Sequence, residues 1–134
     1  MAELKNKSEI NIGAAQLLFD KHYFPSVPHP AYYSCLQLMK HIICKKIYKD
    51  YDIQEAEIAI HGIGSHMYYI NTIAEEIESK QNKRQASEFT RKIKELKALR
   101  EKADYANTSI NFEQARGTIQ RAQETIETLQ NIFR

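Results

Sequence analysis

Arg100 lies at a position where its charge requires a neighbouring group to stabilise it. Arg100 follows Leu96 by four residues and precedes Ala103 by three, so it shares the apolar stripe of a predicted helix. A lone buried charge is very costly, and Asp104 stands one turn later, where it can pair with the guanidinium. Tyr105 follows directly. The cluster is either an internal salt bridge that fixes helix packing or a dimer contact, or a planar fork poised for a phosphate.

Tyrosine is the commonest aromatic residue of the chain, with eight Tyr against five Phe and no Trp. Two of them, Tyr32 and Tyr33, are adjacent near the start of a predicted central helix. A tyrosine has an apolar ring and a polar tip. Such residues either line a wet groove and stack on a nucleobase, or pack at helix edges with the hydroxyl reaching water. The sequence leaves both interpretations open.

The histidines and cysteines form no metal or nucleophile motif. No two of the five His stand three or four residues apart, and there is no Cys-x-x-Cys, His-Glu-x-x-His or Glu-x-x-His motif. We therefore predict neither a metal site nor a cofactor.

Cys35 and Cys44 lie nine residues apart on opposite faces of one predicted helix, which excludes a disulfide within it. Reduced, buried thiols of a cytoplasmic protein are expected.

Length and composition favour one globular domain. The chain has 134 residues, 43% of them hydrophobic, with only 4 Gly and 3 Pro, which argues against collagen-like, linker-like and all-β classes. The net charge of +2 is too small for a polycationic nucleic-acid binder, and all six Arg lie in the second half. No apolar run approaches the roughly 20 residues that span a bilayer, so no membrane association is predicted.

Apolar residues recur every three or four positions, which is the period of an α-helix. The pattern predicts five helices, over residues 8–22, 30–48, 65–79, 85–105 and 112–133. Residues 49–64 fit either a short helix or an extended segment. The predicted fold is all-α, an antiparallel four- to five-helix bundle of one domain over 1–134, with residues 1–7 as a flexible tail.

Capping residues predict where three of these helices begin. Ser8 and Ser65 are the expected N-caps of the first and third helices, since a serine hydroxyl can accept a bond from a free N–H group. Asn111 with Gln114 three residues later resembles a capping box at the start of the last helix.

Three segments, in this order, resemble the HEPN-domain family, in particular the branch often encoded beside minimal nucleotidyltransferases. Residues 31–35 (AYYSC) resemble its AYYA signature, 64–66 (GSH) its histidine at the next helix start, and 96–105 (LKALREKADY) its LxxLRxxADY element. The likeness extends over nearly the whole chain. It implies a HEPN-like four- or five-helix bundle, frequently dimeric, that serves RNA- or nucleotide-related functions, often in toxin–antitoxin or defence systems.

Many proteins of this family are metal-independent ribonucleases, in which an Arg is followed after four to six residues by a His. That motif is absent here, because the last His is His66 and the first Arg is Arg84. Acid–base chemistry then lacks the side chain that titrates near neutral pH. Tyr105 stands at the four-residue spacing from Arg100, but an unperturbed tyrosine has a pKa of about 10 and needs strong activation.

Three hypotheses follow from these residues. The first is a non-catalytic HEPN-like module that binds RNA, a nucleotide or a partner protein. The second is a metal-independent ribonuclease that uses Arg100 with Tyr105 or His66. The third is a structural dimer, such as the partner of a neighbouring nucleotidyltransferase. A homodimer is expected. The candidate binding residues are Arg100, Asp104, Tyr105, His66, Tyr32 and Tyr33.

Overall fold

The computed structural model describes residues 2–105 and 109–134, and every regular element in these two ranges is helical. The α-helices are α1 (Ala2–Asp20), α2 (Pro28–Lys45), α3 (Tyr51–His61), α4 (Ser65–Lys80), α5 (Lys83–Tyr105) and α6 (Phe112–Ile132). A 3-10 turn, Phe24–Ser26, leads into α2. The predicted all-α helical bundle is confirmed. In the described ranges, no helix is both long enough and apolar enough to cross a membrane.

Helix α2 is the centre of the bundle and packs on α1, α4, α5 and α6. Twelve of its 18 residues are buried, and Tyr32, Met39 and Ile43 have no exposed surface. Pro28 and Pro30 in its first turn cost no hydrogen bond, because the first N–H groups of a helix lack intrahelical partners. Because other helices pack on several sides of α2, its backbone is held in place, and so are the positions of its surface side chains.

Helices α1, α4, α5 and α6 each turn one apolar stripe toward α2. The fully buried residues of these stripes include Ile70, Ile73, Ile77, Ile93, Leu96, Ala115, Ala122 and Leu129. Only two residues, Gln81 and Asn82, separate α4 from α5, and such a short connection makes the two helices antiparallel neighbours. The last turns of α5 therefore lie beside the first turn of α4.

Helix α1 begins at Ala2 and not at Ser8, so residues 2–7 are helical and the predicted start of the helix is wrong. Ser8 does not cap a helix. Its side chain is buried, and its Oγ donates a 2.6 Å hydrogen bond to the carbonyl oxygen of Ser34 on α2. The hydroxyl joins two helices, which is a tertiary contact that the local sequence does not reveal.

Helix α2 begins two residues before its predicted start and ends at Lys45, three residues before its predicted end. The chain then reverses through Tyr48, whose φ of 62° lies in the left-handed region. A left-handed backbone is unfavourable for a residue with a side chain and interrupts a right-handed helix. Apolar periodicity continues through Ile47, which is why the sequence pattern places the end too late.

The segment that the sequence leaves open contains the helix α3, which brings the α-helices of residues 2–105 and 109–134 to six. Asp50 caps it, since its side chain accepts a 2.9 Å hydrogen bond from the Ile53 N–H. Gly62 ends it with φ of 66°, a conformation that glycine adopts at little cost.

The two other predicted caps have different outcomes. The N-cap of α4 is Gly64, with φ of 85°, and Ser65 is the first helical residue, so the prediction for Ser65 is wrong by one position. The capping box of α6 is confirmed. Asn111 Oδ1 accepts a 2.8 Å bond from the Gln114 N–H, and Gln114 Oε1 accepts a 3.0 Å bond from the Asn111 N–H.

Neither Cys35 nor Cys44 is part of a disulfide, and both are buried, as predicted. Cys35 has no exposed surface, and its thiol lies 3.6 Å from the Ala122 carbonyl oxygen of α6. Burial raises the pKa of Cys35 to about 12. A thiol in such surroundings is a packing residue, because only the thiolate is a good nucleophile.

Candidate functional site

The fold brings the six sequence-predicted site residues, together with His29, into one cluster at the surface. The contributing elements are the first turns of α2, the first turn of α4 and the last turns of α5. We define the Arg100 site as His29, Tyr32, Tyr33, His66, Arg100, Asp104 and Tyr105.

The guanidinium of Arg100 connects most of these residues. Its Nη2 donates hydrogen bonds to the hydroxyl oxygens of Tyr33, at 3.2 Å, and Tyr105, at 3.4 Å. Its Cζ lies 5.2 Å from the centre of the Tyr33 ring and 5.3 Å from that of Tyr105. The cation is therefore in contact with two aromatic rings, one from α2 and one from its own helix, and each attracts it through the ring quadrupole.

Asp104 forms the ion pair that its spacing from Arg100 predicts. Its Oδ2 lies 3.0 Å from Arg100 Nε. Although the two atoms are close, Nε makes no well-aligned hydrogen bond within the described residues, so the contact is mainly electrostatic. The same Oδ2 lies 2.9 Å from Nδ1 of His29. One carboxylate oxygen thus joins the end of α5 to the start of α2.

His29 belongs to the site but is absent from the sequence-predicted set. Its ring stacks on Tyr33, with centres 4.6 Å apart and planes inclined by 30°. About half of its side chain is exposed. The available signal is local: His29 precedes Tyr33 by four residues, so the two share one face of α2. Its partner Asp104 stands 75 residues away, which no local pattern can show.

His66 and Tyr32 form the inner part of the site. Tyr32 is fully buried, and its hydroxyl lies 2.9 Å from His66 Nδ1. Burial, with the nearby Tyr33 hydroxyl, raises the pKa of Tyr32 well above its ordinary value, so it remains a neutral phenol. Burial, together with the charges of Lys97 and Arg100, lowers the pKa of His66. His66 is therefore a neutral imidazole at neutral pH.

Arg100 keeps its charge although its side chain is only 14% exposed. Burial acts to lower its pKa, but Tyr33, Tyr105 and Asp104 outweigh this effect and raise the pKa overall. One turn earlier on α5, Lys97 is ion-paired with Glu101. Cations and carboxylates alternate here, so the positive field of Arg100 is local.

Tyr105 forms the exposed rim of the site. Its side chain is 75% exposed, while its ring faces the Arg100 guanidinium on one side. A fixed cation beside an exposed aromatic ring suits a ligand that combines a phosphate with a planar base, because the fork binds oxygen pairs and the ring offers a stacking surface.

Within the described residues, no group of three or more His, Cys, Asp or Glu side chains is placed to hold a metal ion. No protein-family model, curated protein or solved structure matches the chain. The residues of the chain itself are therefore the basis for assigning a function.

Proposed function

We propose that the protein is a HEPN-like helical module that binds RNA or a nucleotide at the Arg100 site and does not transform it. The observation that supports this best is the Arg100 guanidinium, which is charged, held by Tyr33 and Asp104, and adjacent to the exposed ring of Tyr105.

Pre-organisation of Arg100 favours phosphate binding. The side chain is already fixed between α2 and α5, so a ligand does not have to order it, and little side-chain entropy is lost on binding. The 3.4 Å bond from Nη2 to Tyr105 is long. A phosphate oxygen forms shorter, charge-assisted bonds and can replace this contact.

Tyr105 supplies a surface for the base. Base–aromatic stacking is worth about 1–3 kcal/mol per base and is tolerant of sequence. The site offers the exposed ring of Tyr105 beside one fixed guanidinium and is not an extended basic groove. We therefore expect recognition of a single nucleotide or of one nucleotide within a single-stranded RNA.

The HEPN resemblance adds a proposal about assembly. We expect a homodimer that acts with a partner protein of the nucleotidyltransferase type in a toxin–antitoxin or defence pair. Sedimentation equilibrium tests the first part, with an expected species of twice the 15.6 kDa mass of the chain. A monomer at all concentrations would refute the homodimer but not the binding site.

The binding proposal is tested by titrating the protein with a fluorescently labelled single-stranded oligoadenylate RNA, and separately with AMP, in the presence of chelator. We expect saturable binding that weakens by about tenfold or more in Arg100→Lys, because a lysine keeps the charge but loses the fork. The matched control is Arg91→Lys, since Arg91 lies on the same helix and pairs with Glu95 at the same i,i+4 spacing. Equal weakening in both variants would mean that binding does not depend specifically on Arg100, and it would refute the site.

A ribonuclease is the second candidate, and the position of His66 favours it. Although every His precedes every Arg in the sequence, both His66 and Arg100 contact Tyr33. In such a reaction the His66 imidazole would take the proton of a ribose 2′-hydroxyl as its oxygen bonds to phosphorus, and Arg100 would stabilise the phosphorane-like charge. The imidazolium would then return the proton to the 5′-oxygen as its bond to phosphorus breaks. Incubation of RNA with the protein in chelator tests this. Cleavage that is lost in both Arg100→Ala and His66→Gln would support the enzyme, and no cleavage would exclude it.

A further inference from the structure

Helix α3 presents an apolar stripe to solvent, although Ile58 of the same helix packs inward against the core. Ile53 and Ile60 are 43% and 80% exposed, and Ala56 between them is also exposed. The only buried residue of the helix is Gln54, at 1% exposure. The helix therefore has apolar residues on its outer face as well as on its inner one, whereas a surface helix normally has only the inner apolar stripe.

The inward contacts of α3 explain why it is held in this orientation. Gln54 Nε2 donates a 2.8 Å hydrogen bond to the Lys49 carbonyl oxygen. Glu57 accepts a hydrogen bond from the Tyr68 hydroxyl of α4 and lies 3.0 Å from Lys49 Nζ. The Glu57–Tyr68 bond docks α3 on α4, and Ile58 packs inward against the core. These contacts fix the apolar stripe outward, so the exposure of the isoleucines does not result from a loose helix.

The exposed stripe has the spacing of a helix-packing surface. Ile53, Ala56 and Ile60 stand at positions i, i+3 and i+7, within about 60° of one another on the helix. The small Ala56 leaves a notch between two large side chains, into which a ridge of another helix can insert. Single exposed apolar residues are ordinary on protein surfaces, whereas neighbouring apolar residues on one helix face are more typical of an interaction surface.

Charge identifies the kind of partner. Four carboxylates lie in residues 50–61, and two of them, Asp52 and Glu55, form no ion pair within the described residues. Two copies joined through α3 would bring these acidic groups together. An anionic lipid surface would also repel them, since membrane-binding helices carry Lys and Arg instead. A basic surface is the complementary one.

We propose that the outer face of α3 is a docking site for a basic amphipathic helix of a partner protein. Its apolar ridge would pack into the notch at Ala56, and its Lys or Arg side chains would pair with Asp52 and Glu55. This site is separate from the Arg100 site and does not depend on the function proposed for it.

The test uses two fluorescently labelled synthetic helical peptides of equal length, one of leucine and lysine and one of leucine and glutamate, both with helical periodicity. We expect the leucine–lysine peptide to bind saturably and the leucine–glutamate peptide not to bind. Ile60→Ser should weaken binding by about tenfold or more, because an isoleucine no longer becomes buried. Asp52→Asn should weaken it further and reduce its dependence on salt.

Two variants serve as controls. Leu17→Ser removes an apolar residue of α1 that is 60% exposed, and it should leave the affinity unchanged. Arg100→Ala should also leave it unchanged, which separates this site from the RNA site. Equal affinity of Ile60→Ser and the unmodified protein, or equal binding of both peptides, would overturn the proposal. A dimer that Ile60→Ser dissociates would also overturn it in favour of a second copy.

Discussion

At the scale of one residue, Arg100 is a largely buried charge that neighbouring side chains stabilise. The guanidinium gives up most of its water, and Asp104, Tyr33 and Tyr105 replace it. The sequence predicts the pair with Asp104, because both residues are on one helix. It cannot predict Tyr33 as a partner, because that contact depends on how α2 and α5 pack.

A substitution of Tyr105 should weaken RNA binding without lowering the stability of the fold. Its side chain is 75% exposed, so Tyr105→Ala should change the free energy of unfolding by no more than about 0.5 kcal/mol. RNA affinity should fall by about tenfold, as expected for the loss of one stacked base. Urea denaturation and an RNA titration on the same samples check both statements. Tyr48→Ala, at a residue that is 82% exposed, is the matched control and should alter neither quantity.

His66 predicts a specific pH dependence of stability. Its pKa in the folded protein is below its ordinary value of 6.5, because burial and the charges of Lys97 and Arg100 disfavour the imidazolium. The unfolded chain therefore binds this proton more readily, and acid favours unfolding once the pH falls below about 6.5. We expect the urea midpoint to fall less between about pH 7.5 and pH 5.5 in His66→Gln than in the unmodified protein.

The comparison of the two proteins isolates His66 from the other four histidines, since those are present in both. Identical pH dependence of the two midpoints would contradict the lowered pKa. A smaller fall in the unmodified protein than in the variant would reverse its sign.

At the scale of elements, the sequence predicts helices better than their ends. Apolar periodicity identifies the long helices because each buries one stripe against α2. Ends depend on single contacts, such as the bond from Ser8 to α2 or the left-handed backbone at Tyr48. For residues 49–64 the sequence leaves helix and extended segment open, and the direction of the α3 stripe depends on the inward contacts of Gln54 and Ile58.

The capping box of α6 contributes measurably to stability. Asn111→Ala removes a hydrogen bond to the Gln114 N–H and should lower the free energy of unfolding by about 0.5–2 kcal/mol. Gln120→Ala, at an exposed position inside the same helix, should have little effect. Chemical denaturation of the three proteins measures the difference. A loss no larger for Asn111→Ala than for Gln120→Ala would mean that the box does not anchor the helix.

At the scale of the whole molecule, the fold brings together His and Arg residues that are far apart in the sequence. All His precede all Arg in the sequence, which excludes the Arg-x4–6-His motif. Packing of α2 and α4 against α5 nevertheless places His29 and His66 beside Arg100. The sequence is enough to name six candidate residues. It cannot show that they lie in one site or that His29 belongs to it, because both depend on how α2, α4 and α5 pack.

The closed core predicts inert thiols. Cys35 and Cys44 are buried, and the pKa of Cys35 is raised to about 12. Iodoacetamide at mildly alkaline pH should alkylate neither residue in the folded protein and both in denaturant, as mass spectrometry of the intact chain would show. Rapid alkylation of the folded protein would mean that the centre of the bundle opens readily.

The most direct test of the Arg100 site follows the arginine side chains themselves. The chain has only six Arg, so its Nε–H signals can be resolved by nuclear magnetic resonance in a ¹⁵N-labelled sample and assigned by substitution. Titration with single-stranded oligoadenylate RNA in chelator should shift or broaden the Arg100 signal saturably and leave that of Arg91 unchanged. An Arg100 signal that stays in place while RNA binds, or the absence of any saturable binding, would contradict the proposed function.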